Sequence, residues 1–206
     1  MVKQLSPRNE PVQNRARKQR DKILKVTSEL LKTVGLDDLT TILVAKKVGI
    51  SIGTLYHYFP NKHAILYALS ELWIEKIKLT LSDIESENIE QMPLKPFVNL
   101  MVERLSTIYK DSSSVLPLVA AMSSTPELKK THDKYLSSVY GGLVSLFLRL
   151  SISLSSSDAT HLARFYWQIC HSILSDINNA DMDGDQSVSD LKFLLFSLLE
   201  RAKANF

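Results

Sequence analysis

The chain has 206 residues, 45% of them hydrophobic and 23% charged, with only 6 Gly and 7 Pro, so collagen-like, low-complexity and wholly disordered classes are excluded. Residues 1–62 hold 12 Lys or Arg against 5 Asp or Glu, whereas residues 63–206 hold 13 against 17, so the net charge of +3 conceals a basic end. That end is a candidate for contact with a polyanion, although a solvated basic tail would give the same counts. No stretch approaches the roughly 18 apolar residues of a membrane span, and the one cysteine excludes an intramolecular disulfide. We therefore expect a cytoplasmic protein that has no membrane partner.

The start of the chain predicts a basic arm and one amphipathic helix. Residues 1–13 contain two prolines and no apolar periodicity, which is typical of a flexible arm. From about Asn14, apolar residues recur every three or four positions until Gly35, where a left-handed cap would end the helix. The arm either reaches into the minor groove of a nucleic acid or adds nonspecific attraction, and we favour the second alternative.

Two short helices separated by a tight turn are predicted next. Either Thr40 or Thr41 caps the first, which ends at Gly49, and Ser51 caps the second, which ends at Tyr58. An apolar set should pack both helices against the preceding one and leave the other side of the second short helix exposed. That set consists of Ile42, Ala45, Val48, Ile50, Leu55 and Phe59.

A long helix and five further helices are predicted beyond the short pair. Pro60 stops the third helix, and Asn61 caps a long amphipathic helix that runs to about Leu81, before a polar loop at Ser82–Pro93. The remaining helices are predicted at about 95–109, 115–123, 127–150, 158–178 and 189–203. Because alternating β patterns are missing, the predicted fold class is all-α, with an N-terminal three-helix helix-turn-helix domain joined by the long helix to a larger helical domain.

The stretch Leu39 to Leu66 reads LTTILVAKKVGISIGTLYHYFPNKHAIL. Its paired Thr, apolar-Ala, Gly-apolar-Ser, Gly-Thr-Leu-Tyr, aromatic-Phe and Lys steps resemble the DNA-binding motif of the TetR-type bacterial transcriptional regulators. The resemblance covers residues 20 to about 70, and the remaining helices match the family only in number and length. It implies a helix-turn-helix DNA-binding domain at 14–62 and a ligand-binding and dimerisation domain at 63–206.

The resemblance also implies a set of DNA contacts. In a helix-turn-helix, the second helix of the motif enters the major groove, where its exposed side chains meet phosphates and base edges. By resemblance the phosphate contacts are Thr41, Tyr56, Tyr58 and Lys62, and the residues nearest the base edges are Gly53, Thr54 and His57. Thr40 and Ser51, at the helix starts, complete the set. Three alternatives stay open, namely Thr41 as a cap only, His57 as a solvated side chain and Tyr58 as a half-buried core aromatic.

In this family the second domain holds a pocket for a small molecule, and the last two helices form a four-helix bundle with a second subunit. The side chains predicted to line the pocket are Trp73, Met101, Tyr109, Met122, Tyr140, Tyr166, Trp167 and Cys170, with His132, His161, Gln168 and His171 as possible polar anchors. Aromatic and Met residues at helical spacing also occur as plain core, so that alternative stays open for each residue. The apolar residues of the closing helices likewise either form a homodimer surface or only close the monomer core.

No catalytic, metal or cofactor site is predicted. The spacing of His161, Cys170 and His171 does not let them converge on a metal. The acidic run Asp181 to Asp185 has Gly184 in the wrong place for a calcium loop and Lys192 where the closing glutamate should be. We therefore predict a homodimeric regulator, not an enzyme, that represses by binding a palindromic double-stranded operator and is released by a small-molecule effector. The alternatives are a ligand-free architectural DNA binder and a helical small-molecule carrier or enzyme.

Overall fold

The computed structural model describes residues 14–152, 155–177 and 183–204, and these ranges contain helices and no strand, which confirms the all-α fold class. The helices are α1 (Asn14–Val34), α2 (Thr41–Val48), α3 (Ile52–Tyr58), α4 (Lys62–Ser86), α5 (Leu94–Asp111), α6 (Leu116–Ala121), α7 (Pro126–Arg149), α8 (Ser156–Asp176) and α9 (Gly184–Ala204). A single turn of 3-10 helix, Ser113–Val115, precedes α6. The predicted arm at 1–13, the predicted helix end at Asn178, and Asp181 lie outside the described residues.

The described chain divides into two compact units. One unit holds the described part of Met1–Ile74 together with Ser114–Asp133, and the other holds Glu75–Ser113 and the described part of Lys134–Phe206. In the first unit α1 packs against α2, α2 against α3, and α1 against α6, whereas in the second α5, α8 and α9 pack against one another. The assignment of separate tasks to residues 1–13, 14–62 and 63–206 stays a prediction.

The first helix buries the apolar stripe that its sequence predicts. Ile23, Leu24, Leu30 and Leu31 are all buried, and the stripe includes a fully buried threonine, Thr27. The Thr27 hydroxyl donates a hydrogen bond of 2.8 Å to the Ile23 carbonyl one turn earlier, so its burial leaves no donor without an acceptor. The helix ends as predicted, because Gly35 adopts a left-handed φ of 75°.

The long helix α4 continues past its predicted end at Leu81 to Ser86, so the loop predicted at Ser82–Pro93 is wrong in its first five residues. Ile84 continues the apolar stripe and is 1% exposed, while the acidic residues that suggested a loop lie on the outside. Beyond the helix end, Arg149 from α7 donates to the carbonyls of Glu85 and Glu87 and to the Glu90 carboxylate, at 2.7 Å for the last. A distant arginine thus satisfies carbonyls that a helix end leaves open.

The last helix begins at Gly184, five residues before its predicted start at Ser189. Asp183 explains the difference, because its Oδ1 accepts from the backbone N–H groups of Asp185 and Gln186, at 3.1 Å each. A carboxylate that accepts the first N–H groups of a helix is a strong helix start, so Asp183 caps α9. None of the described helices combines the length and the hydropathy needed to cross a membrane.

Candidate nucleic-acid interface

The turn between α2 and α3 is built by one glycine and two caps. Thr40 caps α2 by accepting from the Leu43 N–H at 3.2 Å, and Ser51 caps α3 by accepting from the Thr54 N–H at 3.0 Å. Between them Gly49 adopts a φ of 79°, and its N–H donates to the Ala45 carbonyl at 3.0 Å. Because a residue with a Cβ is strained at that φ, glycine is the residue that lets the chain turn here. The predicted helix boundaries at this turn are confirmed.

The inner side of the motif is buried except at Ile50, which is half-buried, and at Ile42. Val44, Ala45 and Val48 of α2 are at most 4% exposed, and Leu55 of α3 and Phe59 after it are fully buried. These side chains brace α3 against the rest of the unit, as the sequence predicts. The core assignment of Ile42 is wrong, since its side chain is 70% exposed. At 100° per residue, position 42 falls outside the arc shared by positions 44, 45 and 48.

A lysine from α1 adds a brace that the sequence does not suggest. Lys22 Nζ donates to the Val48 carbonyl at the end of α2, at 3.0 Å. A cation at this end of a helix satisfies an open carbonyl and interacts favourably with the helix dipole. The partners are 26 residues apart, so no local pattern could have predicted the pair.

The nine predicted DNA-contact residues lie on or near the outer side of the α2–α3 motif. Six are exposed, namely Thr40, Ser51, Gly53, Thr54, Tyr56 and His57, and three are half-buried, namely Thr41, Tyr58 and Lys62. The rings of His57 and Tyr58 meet edge to face, with centroids 5.5 Å apart. The exposed side of α3 therefore carries hydroxyl, imidazole and glycine positions, while Leu55 alone in this helix is fully buried.

Two predicted phosphate contacts are joined to each other. Thr41 Oγ1, in the first turn of α2, and Tyr56 Oη, in α3, are 3.1 Å apart and share a hydrogen bond. Ser51 Oγ and Thr54 Oγ1 form a second pair at 2.9 Å. Each hydroxyl has one proton and two lone pairs, so a paired hydroxyl keeps capacity for a further partner. The two pairs hold the four side chains in fixed positions on the outer side.

Lys62 has a partner that the sequence does not predict. Its Nζ donates to the Leu36 carbonyl at 2.7 Å and lies 3.5 Å from the Asp37 carbonyl. The ammonium thus holds the loop that follows α1, and a DNA phosphate would have to share it with these carbonyls. Exposed cations stand elsewhere in the unit, at Arg15 and Lys18 of α1 and at Lys46 and Lys47 of α2.

The second unit contains five buried side chains and one half-buried histidine, His171, that we call the interior cluster; the buried members are Tyr109, Tyr135, Tyr166, Trp167 and Cys170. Tyr109 Oη hydrogen-bonds His171 Nδ1, and the Trp167 ring stacks on the His171 ring with centroids 5.9 Å apart. Tyr135 meets Trp167 edge to face at 6.1 Å. Tyr166 Oη is buried and has no hydrogen-bond partner within the described residues.

Burial keeps the acidic groups of the interior cluster protonated. It raises the pKa of the Cys170 thiol to about 12 and that of the Tyr166 phenol well above its ordinary value, with Cys170 as a smaller second cause for Tyr166. Burial also raises the pKa of Tyr109 well above the ordinary value. The cluster therefore presents phenol, thiol and ring groups and no carboxylate.

The predicted ligand-lining residues separate into two groups. Six lie in the second unit, and they are Met101, Tyr109, Tyr140, Tyr166, Trp167 and Cys170. Trp73 and Met122 belong to the other unit, although both are buried. Tyr140 is only half-buried, with the Arg164 guanidinium 5.5 Å from its ring centroid. His161 and Gln168 are exposed, so their prediction as interior polar anchors is wrong, because both fall on the outer side of α8.

Comparisons with known proteins distinguish the helix-turn-helix region from the rest of the chain. Residues 23–69 match the family model described as bacterial regulatory proteins, tetR family. The chain is 42% identical over 53 residues to the tetracycline repressor protein class C of Escherichia coli, which is 26% of this chain and 24% of that protein. It is 32% identical over 114 residues to the transcriptional regulator EthR of Mycolicibacterium smegmatis, 52% of this chain and 49% of that protein. The matches thus span a quarter to a half of these relatives.

Solved structures resemble most of the chain at low sequence identity. A transcriptional regulator from Rhodococcus sp. Rha1 superposes with a TM-score of 0.72 at 17% identity, over 88% of this chain and 96% of that one. GusR of Salmonella enterica gives a TM-score of 0.66 at 20% identity, over 94% and 98%. At these identities the likeness establishes the fold over the matched 88–94% of the chain, whereas the sequence matches concentrate on the helix-turn-helix.

Proposed function

We propose, from the premise that residues 23–69 are the DNA-binding domain of a TetR-family regulator, that this chain is a homodimeric transcriptional repressor released from a two-fold operator by a small molecule. The observation that carries the proposal is the α2–α3 motif, in which a capped tight turn presents α3 with its apolar side buried and its hydroxyl side open. A helix of this kind lies in the major groove of DNA. The operator is double-stranded chromosomal DNA, so the protein acts in the cytoplasm.

Each outer side chain has a proposed role. Thr41 and Tyr56, held together at 3.1 Å, bind one stretch of phosphate backbone from both helices, and Tyr58 and Lys62 bind further phosphates. Gly53, Thr54 and His57 lie against base edges. Thr40 accepts an N–H group of its own helix, which leaves its hydroxyl proton available to a phosphate oxygen, whereas Ser51 also shares a hydrogen bond with Thr54 Oγ1. The exposed cations of α1 and α2 add attraction that depends on salt.

Dimerisation is proposed through α8 and α9. Each of these helices buries one side in its own unit, yet Phe165 of α8 and Phe193 and Leu194 of α9 remain 47%, 68% and 47% exposed. Large apolar side chains exposed on adjacent helices are typical of a subunit interface. Two copies joined in this way present two recognition helices to the two halves of a palindrome.

The effector site is proposed to involve the second-unit members of the predicted set. Tyr166 Oη is a buried hydroxyl without a hydrogen-bond partner among the described residues, and an unsatisfied buried polar group is costly unless a ligand or water completes it. Because the interior cluster contains no carboxylate and is largely aromatic, it suits an apolar effector with one hydrogen-bonding group. Such an effector would release DNA by favouring one of two spacings of the recognition helices.

Selection of bound sequences from a random DNA pool, followed by affinity against salt for the selected sequence, tests the DNA-binding part. We expect an enriched palindrome and an affinity that falls steeply with salt. Thr54→Ala should weaken binding, whereas Thr107→Ala, an exposed threonine on α5, should leave it unchanged. Lys62→Ala is a poorer probe because it also frees the loop after α1. Salt-sensitive binding to every sequence without enrichment would contradict a sequence-reading regulator.

A further inference from the structure

An isoleucine that the sequence assigns to the core lies on the outside of the helix-turn-helix. Ile42, in the first turn of α2, is 70% exposed, and Ile52, at the start of α3, is 39% exposed. Scattered exposed apolar side chains are ordinary on a protein surface. These two, however, lie on the two helices of the candidate interface, so their position requires a separate argument.

Ile42 lies beside the contact between α2 and α3, on the exposed side of α2. The Thr41–Tyr56 hydrogen bond shows that the side of α2 at Thr41 faces α3 at the exposed residue Tyr56. Around α2, the buried Val44 and Ala45 lie about 60° to one side of Thr41 and about 40° to the other, whereas Ile42 lies about 60° beyond Ala45 and is 70% exposed. Ile42 therefore extends from the α2–α3 contact toward the exposed side, not the core.

Ile52 on α3 and Lys46 on α2 lie on the same sides of their helices as Tyr56 and Ile42. Ile52 precedes Tyr56 by four residues, one helical turn, so the two share a side of α3. Lys46 follows Ile42 by one turn on α2 and is exposed. An exposed apolar side chain thus follows directly after the residue that bonds a predicted phosphate-binding tyrosine and lies one helical turn from an exposed cation, on the outer side of the motif.

Isoleucine has a narrow choice of partners in that position. It can neither donate nor accept a hydrogen bond, so a phosphate or a polar base edge gains nothing from it. In the major groove the one apolar group presented by the four bases is the C5 methyl of thymine. We propose that Ile42 is a specificity-determining residue that packs against a thymine methyl in each operator half-site. The inference rests on the proposed DNA binding.

The experiment removes the thymine methyl and the Ile42 side chain separately and then together. In the selected operator, each thymine is replaced in turn by deoxyuridine, which lacks only the methyl, and affinity is measured for the wild type and for Ile42→Ala. At one thymine per half-site the wild type should lose about fourfold in affinity for each half-site changed, as expected for about one buried carbon. Because both subunits of the proposed homodimer carry the change, Ile42→Ala should bind the normal operator as weakly as the wild type binds the operator changed in both half-sites, and it should show no further loss with deoxyuridine there.

The matched control is Leu79→Ala, which removes a 55% exposed leucine from α4 in the other unit and should retain the full deoxyuridine effect. Because Ile42 is largely exposed, Ile42→Ala should leave the thermal midpoint unchanged. A methyl effect of the same size in both Ile42→Ala and the wild type would overturn the assignment, as would the absence of any methyl effect. Failure to select an operator would instead count against the proposed function.

Discussion

The helix-turn-helix and the interior cluster differ in how their polar side chains are satisfied. On the outer side of α2 and α3, hydroxyls are paired with each other or with helix N–H groups, and each keeps spare capacity toward solvent. In the interior cluster, Tyr166 Oη is enclosed without a hydrogen-bond partner among the described residues. The first arrangement suits a charged, hydrated partner, and the second suits a partner that enters an apolar space.

The same two regions also differ in what they share with relatives. Identity to the class C tetracycline repressor is 42% over 53 residues, whereas the structural likeness over 88% of the chain comes with 17% identity to the Rhodococcus regulator. The phosphate backbone and groove dimensions are the same for every DNA reader, so they favour one constellation of side chains. The core of the second unit is less constrained, because apolar cores accept many sequences that preserve pattern and volume.

The largest expected effect is on the reactivity of Cys170, which reports how well the interior cluster is shielded from solvent. At pH 8, native Cys170 should react with a maleimide about a thousandfold more slowly than in urea, because a pKa raised from 9.0 to about 12 lowers the thiolate fraction by that factor. The chain has one cysteine, so mass spectrometry reports this site alone. Equal rates in the two states would show that the cluster is open to solvent.

The same shift predicts how stability depends on pH. The folded state raises the thiol pKa, so it favours the protonated form, and this contribution is complete below about pH 9 and lost as the pH rises toward 12. Cys170→Ala should therefore show a shallower loss of stability in this alkaline range than the wild type. Urea denaturation at several pH values measures the difference, and parallel curves would contradict the assignment.

The next effect tests whether the buried side of α3 supports the exposed side. Leu55→Ala removes a fully buried side chain and should lower the free energy of unfolding by about 2–5 kcal/mol. Its neighbour Thr54→Ala should change stability by less than about 0.5 kcal/mol, because the residue is exposed. Denaturant titration of both variants checks the contrast. Similar losses would mean that the outer residues are also structural.

Removing the hydroxyl groups of two tyrosines in the second unit should change stability by smaller amounts and in opposite directions. Tyr109→Phe deletes the bond to His171 and should destabilise the fold by about 1–3 kcal/mol, whereas Tyr166→Phe deletes a buried hydroxyl without a partner among the described residues and should be neutral or stabilise it by about 1 kcal/mol. Thermal unfolding compares the two variants. A loss of stability in Tyr166→Phe would show that its Oη already has a partner.

Local patterns predict the helices and turns of this chain well, because each is determined by neighbouring residues. The caps at Thr40, Ser51 and Asn61 and the left-handed Gly35 and Gly49 all depend on partners within four positions. Errors occur where a distant partner intervenes. Arg149 donates a hydrogen bond to the Glu85 carbonyl at the end of α4 from more than 60 residues away in the sequence. The sequence does not show this partner, so the acidic stretch beyond Leu81 has the composition of a loop.

The candidate site is less predictable, because exposure depends on packing between helices. Ile42 has the residue type of a core position, but the packing of α2 buries the arc of Val44, Ala45 and Val48 and leaves Ile42 outside it. Lys62 has the residue type of a phosphate contact, yet the Leu36 carbonyl 26 residues earlier holds its ammonium. A residue type therefore indicates which interactions are available, whereas the fold decides which partner is within reach.

Gly53→Ala should change stability only slightly, and it tests most directly whether the outer side of α3 approaches DNA. A Cβ added at Gly53 would meet only Ser51 Oγ, at 3.8 Å, so the protein itself has room for it. Gly53→Ala should therefore raise the free energy of unfolding by about 0.5–1 kcal/mol, as removal of a helical glycine does. Operator affinity should nevertheless fall by on the order of tenfold, because the new methyl would push α3 away from the bases. Gly141→Ala in α7, where a Cβ meets nothing within 4 Å, should give the same stabilisation and unchanged affinity. Unchanged affinity in Gly53→Ala would mean that α3 does not approach the groove at this residue.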